Sequence, residues 1–274
     1  MIELSAFADE ISKDLTEQMD VLEEEGIKYI ELRAVWGTNV LKFTDDEVAT
    51  IKEEIGKRGF KISAIGSPLG KIMITDDFDA HLKDVERAIK VAKELETQYI
   101  RVFSFFIPER EEPTRYRSEV MARMKAMVQM AEDAGIVLLH ENEKKIYGDI
   151  TERCVDLLGT IDSKSLRATF DPANFLQCGV KVYEDAYPKL EDYIEYMHIK
   201  DYSIEKKQVT VAGEGDGDFK EILSALKSRN YKGFMSLEPH LSHAGGFSGF
   251  SGPELFRLAS RGLKKLLDEV GYNY

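Results

Sequence analysis

Cysteine is scarce in this chain: Cys154 and Cys178 are the only two among 274 residues. With no CxxC pair, neither a disulfide framework nor a zinc ribbon is indicated, and both thiols read as reduced and buried. Positive charge is in deficit as well. Lys and Arg number 37 against 50 Asp and Glu, a formal net charge of -13. Such a surface repels phosphate backbones and anionic lipid, so nucleic acid and membranes are not expected as partners. Long apolar runs are missing, since no stretch approaches the ~18 residues of a membrane helix. The opening MIELSAFADE has no basic segment and no long apolar run, so no signal peptide is expected and the cytoplasm is the expected location. No GxGxxG follows the first apolar run, which leaves a doubly wound dinucleotide-binding sheet without support.

What the chain does have is alternation. Short runs rich in Ile, Val, Tyr and Phe are each followed by a longer amphipathic run. The short runs begin with IELSAF (2–7), YIELRAVW (29–36), KISAIGSP (61–68) and YIRVFSFF (99–106). They continue with IVLLHEN (136–142), LRATFDPAN (166–174), IEYMHIKD (194–201) and GFMSLEPH (233–240). The longer runs place apolar residues at i, i+3, i+4 and i+7, as in VERAIKVAKEL. Several end on a glycine suited to a helix C-terminus: Gly26, Gly59, Gly135 and Gly271. Strand and helix thus alternate eight times, with about 34 residues per unit, a comfortable spacing for parallel strands joined by helices. The expected architecture is α/β, a single-domain (β/α)8 TIM barrel over residues 1–274.

In such a barrel the chemistry sits at the C-terminal ends of the strands. The fifth run ends in Glu141 and Asn142. The sixth ends in Asp171 and Asn174, the seventh in His198, Lys200 and Asp201, and the eighth in Glu238 and His240. Strand alternation turns Glu238 inward with Ser236 and Phe234, and His198 inward with Tyr196 and Lys200. By the same rule Glu141 faces inward with Leu139, and His140 faces the helices. One acidic strand end alone is ordinarily solvated surface, and one histidine alone is ordinarily hydrogen-bonded core. Four such groups on consecutive strands, Glu141, Asp171, His198 and Glu238, would repel one another or take up protons unless a cation lay between them. Three carboxylates and an imidazole suit one divalent ion, Mn2+ first, with Mg2+, Co2+, Fe2+ or Zn2+ as alternatives.

The stretches LLHEN, FDPAN, HIKD, GEGDGDF and SLEPH, in this order, resemble the xylose isomerase-like barrel family along essentially the whole chain. That family includes ketose 3-epimerases, hydroxypyruvate isomerase, inosose dehydratase and the endonuclease IV group. The resemblance implies one divalent ion on Glu141, Asp171, His198 and Glu238. It also implies that Glu141 and Glu238 act as the acid and base of an isomerase or epimerase working through a cis-enediolate. Departures accompany the likeness. Asn174 stands where many epimerases carry a histidine three residues after the aspartate. No arginine follows His198 until Arg229. The third and fourth runs lack the extra histidines of the endonuclease branch. A metal-dependent dehydratase of an inosose or related polyol, and a non-catalytic sugar-binding barrel, are the alternative readings.

Further residues complete the expectation. Asn174, Lys200, Glu31, Trp36 and Arg101 are candidate contacts for a small sugar or polyol, with Glu31 equally readable as half of an internal ion pair. Trp36 and Phe7 could form an apolar wall or simply belong to the core. AGEGDGDF (212–219) reads as a shaped loop with Asp218 capping the next helix, and HAGGFSGFSG (243–252) as a flexible loop or phosphate cup without the GK[ST] ending of a P-loop. His81 reads as surface, and neither His240 nor His243 is expected to be a ligand. The chain could form a homo-oligomer.

Overall fold

The computed structural model describes residues 1–242 and 250–274. His243 and most of the loop expected at 243–252 lie outside the described residues. Eight parallel strands close into a barrel: β1 (Glu3–Ala6), β2 (Tyr29–Leu32), β3 (Lys61–Leu69), β4 (Tyr99–Val102), β5 (Val137–Glu141), β6 (Leu166–Phe170), β7 (Ile194–Ile199) and β8 (Phe234–Leu237). Each strand pairs with its sequence neighbours, and β8 closes on β1 with Ser5 opposite Ser236. Outside lie α1 (Leu15–Glu24), α2 (Asp45–Lys57), α3 (Phe78–Glu94), α4 (Arg117–Ala134), α5 (Thr151–Ile161), the short α6 (Pro172–Gln177) and α7 (Tyr187–Leu190), α8 (Phe219–Ser228) and α9 (Gly252–Val270).

Local chemistry explains the boundaries. Asp14 accepts a hydrogen bond from the Glu17 N–H at the start of α1, and Thr44 with Glu47 forms a capping box on α2. Gly135 and Gly271 end α4 and α9 with φ near +70°, a conformation that penalises any Cβ. In α3 the stripe Val85, Ala88, Val91 and Ala92 is fully covered by the sheet and its neighbours. Burying each of the two valines contributes about 1.5–3 kcal/mol.

The inside of the barrel is layered. At its N-terminal end Phe234 packs edge-on against Tyr29 and Tyr99 and tilted against Tyr196. Above these, hydroxyls link across the axis: Ser5 to Ser63 at 2.6 Å, and Ser63 to Tyr196 at 2.9 Å. Higher still come Glu31 and His198, and then the carboxylates of the mouth. The inward sets expected from alternation are those observed. His140 points outward, with Nε2 at 2.9 Å from Ser104 Oγ.

The GEGDGDF loop is organised by one side chain. Asp201 accepts hydrogen bonds from the backbone N–H groups of Tyr202, Gly213, Gly215 and Gly217 at 2.7–3.0 Å. A Cβ on Gly215 would lie 2.4 Å from Asp201 Oδ1, so glycine is required for the backbone to approach this closely.

Three expectations need correction. His81 is buried, and its Nε2 accepts the Gly70 N–H at 2.9 Å. The first turn of α3 folds over the end of β3 and turns a seemingly solvent-facing position inward. Asp218 precedes α8 but does not cap it: its φ is 51°, and its Oδ2 instead accepts the Tyr183 N–H. Cys178 is only partly buried, although both cysteines are free.

Candidate active site

Each mouth residue is placed by the element that ends beneath it. Glu141 is the last residue of β5, and Glu238 directly follows β8. His198 lies within β7, next to Ser236 of β8 in the sheet register. Asp171 directly follows β6 and is the N-cap of α6, with Pro172 in the first turn and Oδ1 accepting the Asn174 N–H at 2.9 Å. Its backbone is clamped by Asn142, whose amide donates to the Asp171 carbonyl and accepts its N–H. The Asp-Pro pair therefore fixes a carboxylate while starting a helix, since Pro has no N–H to lose there.

Glu141, Asp171, His198 and Glu238 offer ligand atoms that all lie within 4.8 Å of one another, and all four are buried. The Nε2 of His198 lies 3.2 and 3.3 Å from the two oxygens of Glu31. Nε2 therefore carries a proton toward Glu31, and Nδ1 faces the cluster, where it would offer its lone pair to a bound ion. Nδ1 has no hydrogen-bond partner and sits 3.3 Å from Glu141 Oε1. Asp171 Oδ2 is likewise without a hydrogen bond: Lys200 Nζ is 2.7 Å away, but off the geometry of one. A carboxylate-oriented imidazole, an open carboxylate oxygen and two further carboxylates are a donor set that fits a divalent cation.

The electrostatics follow from burial and neighbours. Burial alone would raise Glu141, but His198 and Arg101 outweigh it and hold the carboxyl down to about 2. Glu238 would also rise on burial, yet Lys200, His240, His198 and Arg101 keep it well below the carboxylate range. Burial pushes Asp171 up to about 7 against the pull of Lys200. It would lower His198, but Glu31 and Glu141 raise the imidazole to about 10. A buried cluster with neighbours pushed in opposite directions marks a functional centre.

Above the cluster opens a cavity of about 730 Å³, ample for a small polyol. Of the expected substrate contacts, Asn174, Lys200 and Arg101 line it. Asn174 also donates to Glu141 Oε1 at 3.0 Å, and Lys200 to Glu238 Oε2 at 2.8 Å. Arg101 reaches Glu141 Oε2 at 3.2 Å. Two expected contacts lie elsewhere. Glu31 is wholly buried behind His198, the ion-pair arrangement rather than a wall of the cavity. Trp36 is 44% exposed at the tip of the hairpin 34–39, whose Ala34, Gly37 and Asn39 border the cavity. Its φ of 54° puts it in the left-handed region, and the tight turn swings the indole outward.

Sequence reasoning passed over a group contributed by the first turn of the chain. Arg33, directly after β2, donates to Glu238 Oε1 at 3.0 Å and to Asp9 Oδ2 at 2.7 Å. Glu10 accepts from the His240 N–H and from Ser251 Oγ, and its other oxygen lies 3.2 Å from His240 Nε2. With Glu238 these two also form a group able to hold an ion. ADE in the sequence shows no strand-end position; Asp9 meets Arg33 across 24 residues and the hydrogen-bond partners of Glu10 are more than 200 residues away, so no local signal marks it.

Comparison with known proteins agrees with the fold. A crystal structure described as a D-tagatose 3-epimerase-like protein superposes with a TM-score of 0.77 at 23% identity, covering 98% of each chain. The probable 3-DHS dehydratase AsbF of Bacillus anthracis gives a TM-score of 0.78 at 19% identity, covering 96% of this chain and 99% of its own. At these identities the likeness is one of fold. An inosose dehydratase of Clostridium perfringens is 26% identical over 129 residues, 40% of this chain and 42% of that protein. An uncharacterized protein of Methanocaldococcus jannaschii is 29% identical over 164 residues, 56% of this chain and 55% of its own length. The chain thus spans about half the length, or less, of these curated relatives. No helix among the described residues is long and apolar enough to cross a membrane. The family model of the xylose isomerase-like TIM barrel matches residues 19–266, and the chain belongs to that family.

Proposed function

We propose that this protein is a metal-dependent sugar isomerase or epimerase that moves a proton between positions beside a carbonyl. The observation that carries the reading is the convergence of Glu141 and Glu238 on one cavity, with Asp171 and His198 among the same ligand atoms. These four residues would hold one divalent ion, and Mn2+ or Mg2+ suits their mainly oxygen donors. Such an ion, when bound, supplies Lewis-acid relief for the negative charge that grows on the substrate's oxygens.

The protein's own groups account for the rest. Glu141 and Glu238 approach from β5 and β8, three places apart around the barrel. Both are held ionised, so either can take the proton from carbon; the carboxyl so formed returns it to the same face, whereas return to the opposite face requires the other glutamate first to take up a proton from water. Asn174 and Arg101 fix the Glu141 carboxylate, and Arg33 and Lys200 fix that of Glu238. These donors also face the cavity and can follow negative charge onto a substrate oxygen.

Dehydration of a keto-polyol is the second reading, favoured by the inosose dehydratase among the relatives. It begins with the same proton removal and ends with hydroxide leaving the next carbon as water. Incubation with ketoses, aldoses and inososes in D2O with added Mn2+ separates the two. Deuterium gained beside the carbonyl without loss of water is the expected result. A product that has lost water points to the dehydratase. Absence of both reactions, in protein shown to hold metal, refutes the proposal.

A further inference from the structure

Cations and aromatic rings alternate along one wall of the cavity. The Arg33 guanidinium carbon lies 4.6 Å from the centre of the Phe7 ring, and that of Arg101 lies 4.8 Å from the same ring. Arg101 is also 5.0 Å from the centre of Phe103, and Lys71 Nζ is 4.2 Å from it. Phe7 and Phe103 are fully buried and act as fixed spacers. Arg33, Arg101 and Lys71 all line the cavity, and the row climbs from the carboxylate cluster to the rim, where the Lys71 side chain is 33% exposed.

The negative charge facing this row is shared. Arg33 and Arg101 both point an NH1 at Glu238 Oε1, at 3.0 and 3.6 Å; Arg101 adds Glu141 Oε2 at 3.2 Å, and Arg33 also holds Asp9 Oδ2 at 2.7 Å and lies 3.9 Å from Glu10 Oε1. Lys71 has Glu143 at 3.3 Å, and Lys144 stands beside it at the rim. Glu141 and Glu238 are the carboxylates that a divalent ion would engage. An ion that engaged Glu141 and Glu238 would leave Arg101 with the carbonyls of Gly66 and Ser67 and with two ring faces, which compensate a buried cation only in part. A guanidinium fork also matches the planar or tetrahedral oxygens of carboxylate and phosphate better than it matches a single hydroxyl. The protein as a whole carries -13, so a negatively charged substrate would be repelled unless cations were placed where it enters.

We infer that the row receives an anionic group, and that the substrate is a sugar or polyol bearing a carboxylate or phosphate away from its reacting carbons. This inference rests on the proposed function for where those carbons lie. Lys71 is the group to test, because it touches none of the four clustered ligand residues.

The experiment is calorimetric titration of Mn2+-supplemented protein with D-gluconate, D-glucitol 6-phosphate and D-glucitol, with metal content measured on the same samples. At least one anion should bind about tenfold or more tightly than D-glucitol. Which of the two gains more separates carboxylate from phosphate. Lys71→Met should remove most of that advantage and leave D-glucitol binding and metal content unchanged. Equal binding of all three probes, a preference untouched by Lys71→Met, or no binding at roughly 10 mM would overturn the inference. Charge indifference in metal-loaded protein defeats this inference alone, whereas protein that takes up no Mn2+ defeats the proposed function as well.

Discussion

Asp171 and Asp201 are both fully buried aspartates just past the ends of adjacent strands, yet they spend their oxygens in opposite ways. Asp201 accepts four backbone N–H groups and does not line the cavity above the carboxylate cluster. Asp171 gives one oxygen to the first turn of α6 and leaves the other without a hydrogen bond, turned toward His198, Glu141 and Glu238. Burial raises both carboxyls, but only Asp171 also has two carboxylates pushing in the same direction. A buried carboxylate whose oxygens are saturated by the backbone holds a loop. One whose second oxygen makes no hydrogen bond, and faces Lys200, a histidine and two further carboxylates, is arranged for something that is not protein.

The largest effect expected from that distinction is on chemistry. Glu238→Gln keeps the shape of the side chain and its hydrogen bond from Arg33 but removes the proton acceptor. Turnover, read as deuterium exchange, should fall by about 10²–10⁴-fold while the circular dichroism spectrum is retained. Activity equal to wild type would remove Glu238 from the mechanism. The two aspartates then separate by readout. Asp171→Asn should weaken Mn2+ binding by roughly a hundredfold or more, because a direct donor is lost. Asp201→Asn turns an amide N–H2 toward N–H donors and should cost about 1–3 kcal/mol in urea unfolding, with metal affinity unchanged. The reverse pattern would break the comparison.

How much of this was legible in the sequence depends on where each residue sits. The barrel shows in the period, because parallel strands buried on both faces leave short apolar runs between amphipathic helices. Glu141, Asp171, His198 and Glu238 show because strand ends have a fixed place in that architecture and alternation sets their direction. Asp201 lies two residues past β7, and its role required knowing that three glycines twelve to sixteen positions later fold back over it. Glu10 and Arg33 gain meaning only once β1, β2 and β8 are neighbours, as closure makes them. Trp36 and His81 were misjudged because composition gives a side chain's character but not the local turn that aims it.

Glu31 tests whether the open oxygen of Asp171 and the open nitrogen of His198 belong to one site. It does not line the cavity above the cluster, and its oxygens contact the far side of the imidazole. Glu31→Gln preserves the volume and weakens the hold on the Nε2 proton, so Nδ1 becomes a poorer donor. Mn2+ affinity measured by competition with a chelator should drop about 10–100-fold, with the melting temperature of metal-free protein changed far less. Unchanged affinity would reduce Glu31 to an internal ion pair.

The smallest effect expected is a slope. Glu10 is wholly buried, and burial raises its carboxyl from 4.5 to about 8 despite the attraction of Arg33. Between those values the folded protein holds a proton that the unfolded chain has released. Stability contributed by this group is therefore present at low pH and is lost as pH rises toward 8, at up to about 1.4 kcal/mol per pH unit. In metal-free protein Asp171 and His198 slope the same way, both being raised, so the measurement is a difference. The stability of wild type minus that of Glu10→Gln should decline from pH 6 to pH 7 in urea unfolding. The amide introduced by that substitution would still accept from the His240 N–H and from Ser251, and it carries no charge to bury. A flat difference would mean that Glu10 is already ionised in the fold, paired with Arg33 or His240, and would place it with the saturated carboxylates rather than the poised ones.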